Sequence, residues 1–301
     1  MTDYRMDPTL TLGPVTLTVA DVERSVRYYT QVAGFRLLDR QPQRARLGVE
    51  GWALVELYEA AGAVAPPQSS PGLSHFAPLV PTRADLARFT QRHVDAGLDI
   101  DLRDHFVSQS CYVADPDGHT LEATWTTPRE QWQWSEDNLP VLAYTPIAVE
   151  DLLAEPGAST SAPLPAETRM GHVQLKVTDA GLTSTTRFYC DLLGLQVYAR
   201  IGDGFVGVGA HDYRSLLVCT NWYSPNGGTP AGPDTARLTS VDLLLSTPEA
   251  IQELAERLAA AGHPYQHTDS GLTTNDPSGN PLRFSILDAA QPTAKLGTPT
   301  F

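Results

Sequence analysis

An α+β protein built from four strand-helix-strand-strand-strand units is the fold the sequence predicts, and three observations predict it. DVERSVRYYTQVAGFRLLDR from Asp21 resembles GLTSTTRFYCDLLGLQVYAR from Gly181. LSHFAPLVPTRADLARFTQRHVDAG from Leu73 parallels LTSVDLLLSTPEAIQELAERLAAAG from Leu238. YVADPDGHTLEATW from Tyr112 matches TTNDPSGNPLRFSI from Thr273 in an Asp-Pro-x-Gly turn followed by an apolar tail. Repeats of this kind make each half of the chain a copy of the other.

The elements follow in order. The stretches GPVTLTV from Gly13 and GHVQLKV from Gly171 read as first strands. Each leads into a helix-period segment with an aromatic-Tyr pair, Tyr28-Tyr29 or Phe188-Tyr189, and a glycine five residues on, Gly34 or Gly194. At that glycine the helical period gives way to a strand-like run. The second pair of repeats reads as a strand, a Thr or Ser near a helix start, and an amphipathic helix closing on Gly97 or Gly262. Short strands then lead into the Asp-Pro-x-Gly hairpin, where Asp115, Pro116 and Gly118 serve the turn: Asp and Pro preset the bend, and Gly supplies the unusual dihedral.

These units place one domain at 10–127, with units near 12–60 and 73–127. A linker spans 128–168, and a second domain spans 169–289, with units near 170–222 and 238–289; residues 290–301 form a tail. The linker is rich in Pro, Ala and Ser from Glu155 and reads there as flexible. Its front carries Trp132 and Trp134, which are expected to pack over a domain face or a substrate opening.

At 301 residues the chain suits two domains, and 42% hydrophobic with 19% charged residues fits a soluble globular protein. A net charge of -14 argues against nucleic-acid and anionic-membrane partners, which need a basic face. The N-terminus lacks the apolar core of a signal peptide, and no run is long enough to span a membrane. Cys111, Cys190 and Cys219 are odd in number and far apart, so they read as buried thiols in a reducing compartment, with the cytoplasm as the expected address.

The four units, the helix VERSVRYYTQVAGF and the Y-x-x-D-P-D-G-x-x-x-E motif resemble the vicinal oxygen chelate superfamily of glyoxalases, bleomycin-resistance proteins and extradiol dioxygenases. Within it the chain is most similar to two-domain bacterial catechol 2,3-dioxygenases. The resemblance implies two cupped half-barrel domains, with metal ligands on the first and last strands of a unit. Carried over by position, it implies His75 and Glu122 in the second unit and His172 in the third. The matching positions elsewhere hold Pro14, Ser240 and Arg283, none of them a metal ligand. One ligand set is therefore kept and the other erased, provided that units two and three share one cup and units one and four share the other.

Two imidazoles and one carboxylate are the triad that holds non-haem Fe(II) with positions left open; Mn(II) fits the same ligands. A lone strand His is more often a hydrogen-bonded core residue than a ligand. Three such groups together argue otherwise, since a Glu inside the apolar run TLEATW is costly to bury without a partner. The resemblance further implies a substrate-contacting Tyr112 and an acid-base His105. Its His-rich last strand in the third unit is reduced here to His211, so His211 or an asparagine such as Asn221 is a candidate replacement, and Trp222 a candidate pocket wall. His93, His263 and His267 read as surface or structural, and His119, in the turn, as solvated.

The implied activity is ring cleavage of a catechol-like diol by O2, with Fe(II) as cofactor. The small aromatic diol and O2 are its partners, nucleic acid and membrane are not, and a homo-oligomer is compatible. Two rivals share the scaffold: a glyoxalase-like divalent-metal lyase or isomerase, which would want another carboxylate, and a non-catalytic small-molecule binder.

Overall fold

The structure, a computed structural model, describes residues 4–158, 162–211, 215–224 and 227–287. The predicted tail at 290–301 lies outside those residues. The first unit comprises β1 (Thr11–Val19), α1 (Val22–Arg27), β2 (Arg36–Gln41), β3 (Arg44–Val49) and β4 (Trp52–Glu59). The second comprises β5 (Gly72–Leu79), α2 (Arg83–Asp95), β6 (Asp101–Asp104), β7 (Ser108–Ala114) and β8 (Thr120–Thr126). Two short linker elements follow, β9 (Thr145–Pro146) and α3 (Val149–Leu153). The third unit has β10 (Arg169–Lys176), α4 (Thr183–Thr186), β11 (Gln196–Ile201), β12 (Phe205–Gly209) and β13 (Leu217–Thr220). The fourth has β14 (Leu238–Leu245), α5 (Pro248–Ala260), β15 (Tyr265–Thr268), β16 (Gly271–Asn275) and β17 (Pro281–Ile286).

The result is α+β with two mixed sheets. One runs β15-β16-β17-β14-β1-β4-β3-β2 and the other β11-β12-β13-β10-β5-β8-β7-β6-β9. Antiparallel pairing of β5 with β10 joins strands of the two halves of the chain, as does that of β1 with β14.

Local chemistry sets the helices. Thr82 caps α2 in a full capping box with Asp85, and Thr247 caps α5 with Pro248 in the first turn. Both repeat helices pass from α into a π-helical turn, at Tyr28–Val32 and Arg187–Leu192. They end at Gly34 and Gly194, with φ of +80° and +77°. At Gly34 a Cβ would also sit 2.5 Å from the Arg92 guanidinium.

The π turn brings the second aromatic of each pair onto the hairpin of the next unit. Tyr29 Oη donates to Asp115 Oδ2 at 2.9 Å, and Tyr189 Oη donates to Asp276 Oδ2 at 3.1 Å. The other carboxylate oxygen closes the turn, Asp115 Oδ1 accepting from the Asp117 and His119 amides at 2.9 Å. Gly118 and Gly279 take φ of +85° and +86°. The hairpin aspartate is thus both turn former and docking point.

His119 departs from expectation. Rather than being solvated it is buried, its Nε2 3.0 Å from the Thr18 carbonyl, because the turn docks on the end of β1. His93 is structural, buried between Tyr28 Oη at 3.1 Å and the Phe89 carbonyl at 2.9 Å; burial drives its pKa down to about 4.

Alternation along the strands divides each sheet into a helix-packed face and an open face. In the nine-stranded sheet Phe76, Leu121, Ala123, Val173 and Leu217 are buried on the helix side. Full burial of such side chains contributes roughly 1.5–3 kcal/mol for the larger ones. Cys111 and Cys219 are buried and Cys190 half-buried, all of them free thiols; burial pushes Cys111 up to about 12 and Cys190 up to about 11. Among the described residues no helix is long and apolar enough to cross a membrane.

Candidate metal centre

Three adjacent strands, β10, β5 and β8, carry the three predicted ligands on the open face. His75 and Glu122 are 7% and 2% exposed, and Glu122 sits between the core-facing Leu121 and Ala123. His75 Nε2 lies 2.8 Å from Glu122 Oε2, His172 Nε2 lies 3.1 Å from that same oxygen, and the two imidazole nitrogens are 3.1 Å apart. Among the described residues His75, Glu122 and His172 form one group with ligand atoms this close.

This is the donor spacing a divalent ion needs. Metal–ligand bonds of about 2.1 Å at right angles put ligand atoms about 3.0 Å apart. Glu122 Oε2 is buried and has no aligned hydrogen-bond donor, so the imidazoles crowd it without satisfying it. An ion among the three would relieve that.

The electrostatics agree with a carboxylate held ionised. Burial alone would raise the Glu122 pKa, but His75, His172 and His105 outweigh it and hold the group well below the usual carboxylate range. For His75 burial dominates and lowers the pKa, with Glu122 opposing. Both imidazoles must be neutral to act as ligands.

Tyr112 and His105 flank the triad. Tyr112 is directly across the β7–β8 ladder from Glu122, and its ring meets His75 edge-on at 5.5 Å. Its hydroxyl is 2.9 Å from His105 Nε2, which is 3.6 Å from Glu122 Oε1. Burial, then the Glu122 charge, push the Tyr112 phenol far above its usual range, so it stays a donor. Burial opposes charge on His105, yet Glu122 and the Ala143 carbonyl raise its pKa.

The tautomer of His105 is set from the linker. Its Nδ1 is 2.9 Å from the Ala143 carbonyl, so Nδ1–H donates there and Nε2 is left to accept from Tyr112. The linker earns this position through β9, whose Thr145 and Pro146 pair with Asp104 and Arg103 of β6. Tyr144 packs its ring 5.5 Å from that of His105, donates to Asp101 at 3.0 Å and lies under the Arg103 guanidinium at 4.4 Å. Next to His105, Phe106 has φ +69°, held by its amide on Asp104 Oδ1 at 2.7 Å.

The remaining candidates are His211, Asn221 and Trp222. His211 is exposed, two residues beyond β12. Asn221 spends its amide on the Asp179 and Asp203 carbonyls at 3.1 and 3.2 Å, so it is tied to structure. Trp222 is 53% exposed and stacks on Phe205. Trp132 donates to the Thr127 carbonyl at 3.1 Å, which seats the front of the linker on the domain.

At the matching place in the eight-stranded sheet Arg283 binds Asp242, which also accepts from Ser240 Oγ at 3.0 Å. Glu56 pairs there with Arg46 at 3.0 Å and Arg44 at 3.3 Å. Sequence reasoning missed Glu56 and Asp242. The signal was present, since ALVELYE and SVDLLL each place a carboxylate inside an apolar strand, as TLEATW does.

The family described as the Glyoxalase/Bleomycin resistance protein/Dioxygenase superfamily matches residues 11–123. A catechol-2,3-dioxygenase of Bacillus subtilis (strain 168) is 31% identical over 281 residues, covering 91% of this chain and 97% of the relative. The chain belongs to this superfamily. Likeness extends to solved structures. One from Bacillus subtilis subsp. subtilis str. 168 has a TM-score of 0.63 at 15% identity, over 94% of this chain and 86% of its own. Glyoxalase I from Zea mays has a TM-score of 0.58 at 19% identity, over 92% of each chain. At such identities the likeness carries the fold alone.

Proposed function

We propose that the protein is an Fe(II)-dependent extradiol dioxygenase that opens a catechol-like aromatic diol beside its hydroxyls, with Mn(II) able to occupy the same ligands. The observation that supports this reading is the meeting of His75, His172 and Glu122 within 3.1 Å on one open face. Full-length similarity to a catechol-2,3-dioxygenase adds to it. In this reading the second and third units share the working cup, and the first and fourth share the other.

His75, His172 and Glu122 would hold the ion. A bound divalent iron would supply Lewis acidity and bring diol and dioxygen together. Tyr112 keeps its proton and donates it as a hydrogen bond to a substrate oxygen as charge builds there. His105 presents Nε2 to a substrate hydroxyl while the Ala143 carbonyl keeps the proton on Nδ1. Burial of His75 and Glu122 limits the access of bulk water to the same positions.

The test is anaerobic reconstitution with Fe(II), followed by catechol and oxygen. A yellow ring-fission product at one iron per chain is the expected result. Stoichiometric iron with no turnover across a catechol panel would move the protein to the lyase or isomerase class. Failure to bind iron, or binding unchanged by Glu122→Ala, would overturn the metal centre itself.

A further inference from the structure

Between the ends of the two sheets lies a cleft of about 610 Å³ that the metal centre does not use. Its walls include Pro66, Leu73, Tyr223 and Pro230, with Lys176 and Arg237 as its cations. None of the three metal ligands lines it. Lys176 is four residues beyond His172 on the same strand, about 13 Å along it at the usual rise.

The charges of this cleft do not cancel. Its carboxylate, Asp117, is already matched: Oδ1 accepts from Arg24 Nη2 at 2.6 Å and from the Ala20 amide at 3.0 Å. The other oxygen accepts from Ser25 Oγ at 3.2 Å. Lys176 Nζ has a carbonyl partner, Gln68 at 3.3 Å, and among the described residues no carboxylate pairs with it. The Arg237 side chain has neither hydrogen bond nor ion pair among the described residues, and its Nε is buried. Two cations lining one cleft are notable in a chain of net charge -14. A half-buried ammonium without a counter-ion is costly, and its pKa is accordingly lowered by desolvation.

We propose that this cleft is a second ligand site, for a small organic carboxylate with an apolar body. The anionic head would lie between Lys176 and Arg237, and the body against Leu73, Tyr223 and the two prolines. Arg offers a planar fork to a carboxylate and Lys a point charge, so together they fix both its orientation and its charge. The volume far exceeds that of a bare inorganic anion and suits an aromatic acid.

Calorimetric titration of the full chain with benzoate, and separately with inorganic phosphate, tests the site. Benzoate should bind at one site per chain, with affinity that falls as salt rises. Lys176→Met and Arg237→Gln should each weaken it at least tenfold, with iron uptake unchanged as the check on folding. His172→Ala should leave benzoate binding intact, which separates this cleft from the metal centre. The proposal is overturned by no benzoate binding, by phosphate binding alone, by binding that survives the double substitution, or by binding lost in His172→Ala.

Discussion

Two open sheet faces in one chain bury carboxylates and handle them differently. In the nine-stranded sheet Glu122 meets two imidazoles, and its Oε2 is left without an aligned donor. In the eight-stranded sheet Asp242 meets Arg283, and Glu56 meets Arg44 and Arg46. A buried carboxylate needs a counter-charge in either case. One face supplies that charge from its own arginines; the other surrounds the carboxylate with the imidazoles of His75, His172 and His105. Matching scaffolds thus carry arginine partners on one side and imidazole partners on the other.

Removing one charged partner on each side should break this comparison most strongly. Glu122→Ala should abolish iron uptake and take turnover down by about 10⁴-fold, to background, while thermal unfolding of the metal-free chain stays cooperative. Arg283→Met should do the opposite, leaving iron uptake intact and costing about 3 kcal/mol in urea unfolding, because Asp242 loses its partner. The figure sits at the low end for buried pairs since about a third of the Arg283 side chain reaches water.

Tyr112→Phe comes next, with an expected loss of about 100-fold in kcat and no change in iron stoichiometry. An unchanged kcat would remove the hydroxyl from the proposed chemistry. Tyr29→Phe and Tyr189→Phe should cost about 2 kcal/mol each, since each leaves a buried aspartate short of one donor. Equal costs would show that the two halves are docked alike however their cups differ. The smallest effect belongs to Asp242→Leu combined with Arg283→Met. Removing both charges together should stay within about 1 kcal/mol of the parent, measured by the same unfolding curve.

Much of this was readable from the chain because strand alternation is local. Glu122 between Leu121 and Ala123 declares its face, and the glycine and aromatic-Tyr repeats declare the order of units. His75 and His172 were named from the family resemblance, carried over to the first strands that the repeats mark. What was hidden depends on contacts between distant segments. The burial of His119 follows from docking on Thr18, 101 residues away in sequence. Asn221 was offered as a catalytic substitute, yet its amide serves carbonyls 42 and 18 residues away. No residue type signals that the Ala143 carbonyl will orient His105, because any residue there offers the same carbonyl. The salt bridges of the eight-stranded sheet were missed for a different reason: Glu56 and Asp242 were legible as buried carboxylates, but only the positions matching His75, Glu122 and His172 were weighed.

The β5–β10 and β1–β14 pairings also set an order of events during synthesis. β1 is among the first strands made, yet its antiparallel neighbour β14 begins at Leu238. β5 likewise waits for β10, so the nascent chain carries Glu122 with His75 and His105 but without its third imidazole until His172 has emerged. If the three residues hold an ion as proposed, loading would wait until β10, Arg169–Lys176, has been made. A truncation anywhere in the linker would leave Glu122 without His172, and β5 as a sheet edge without its neighbour.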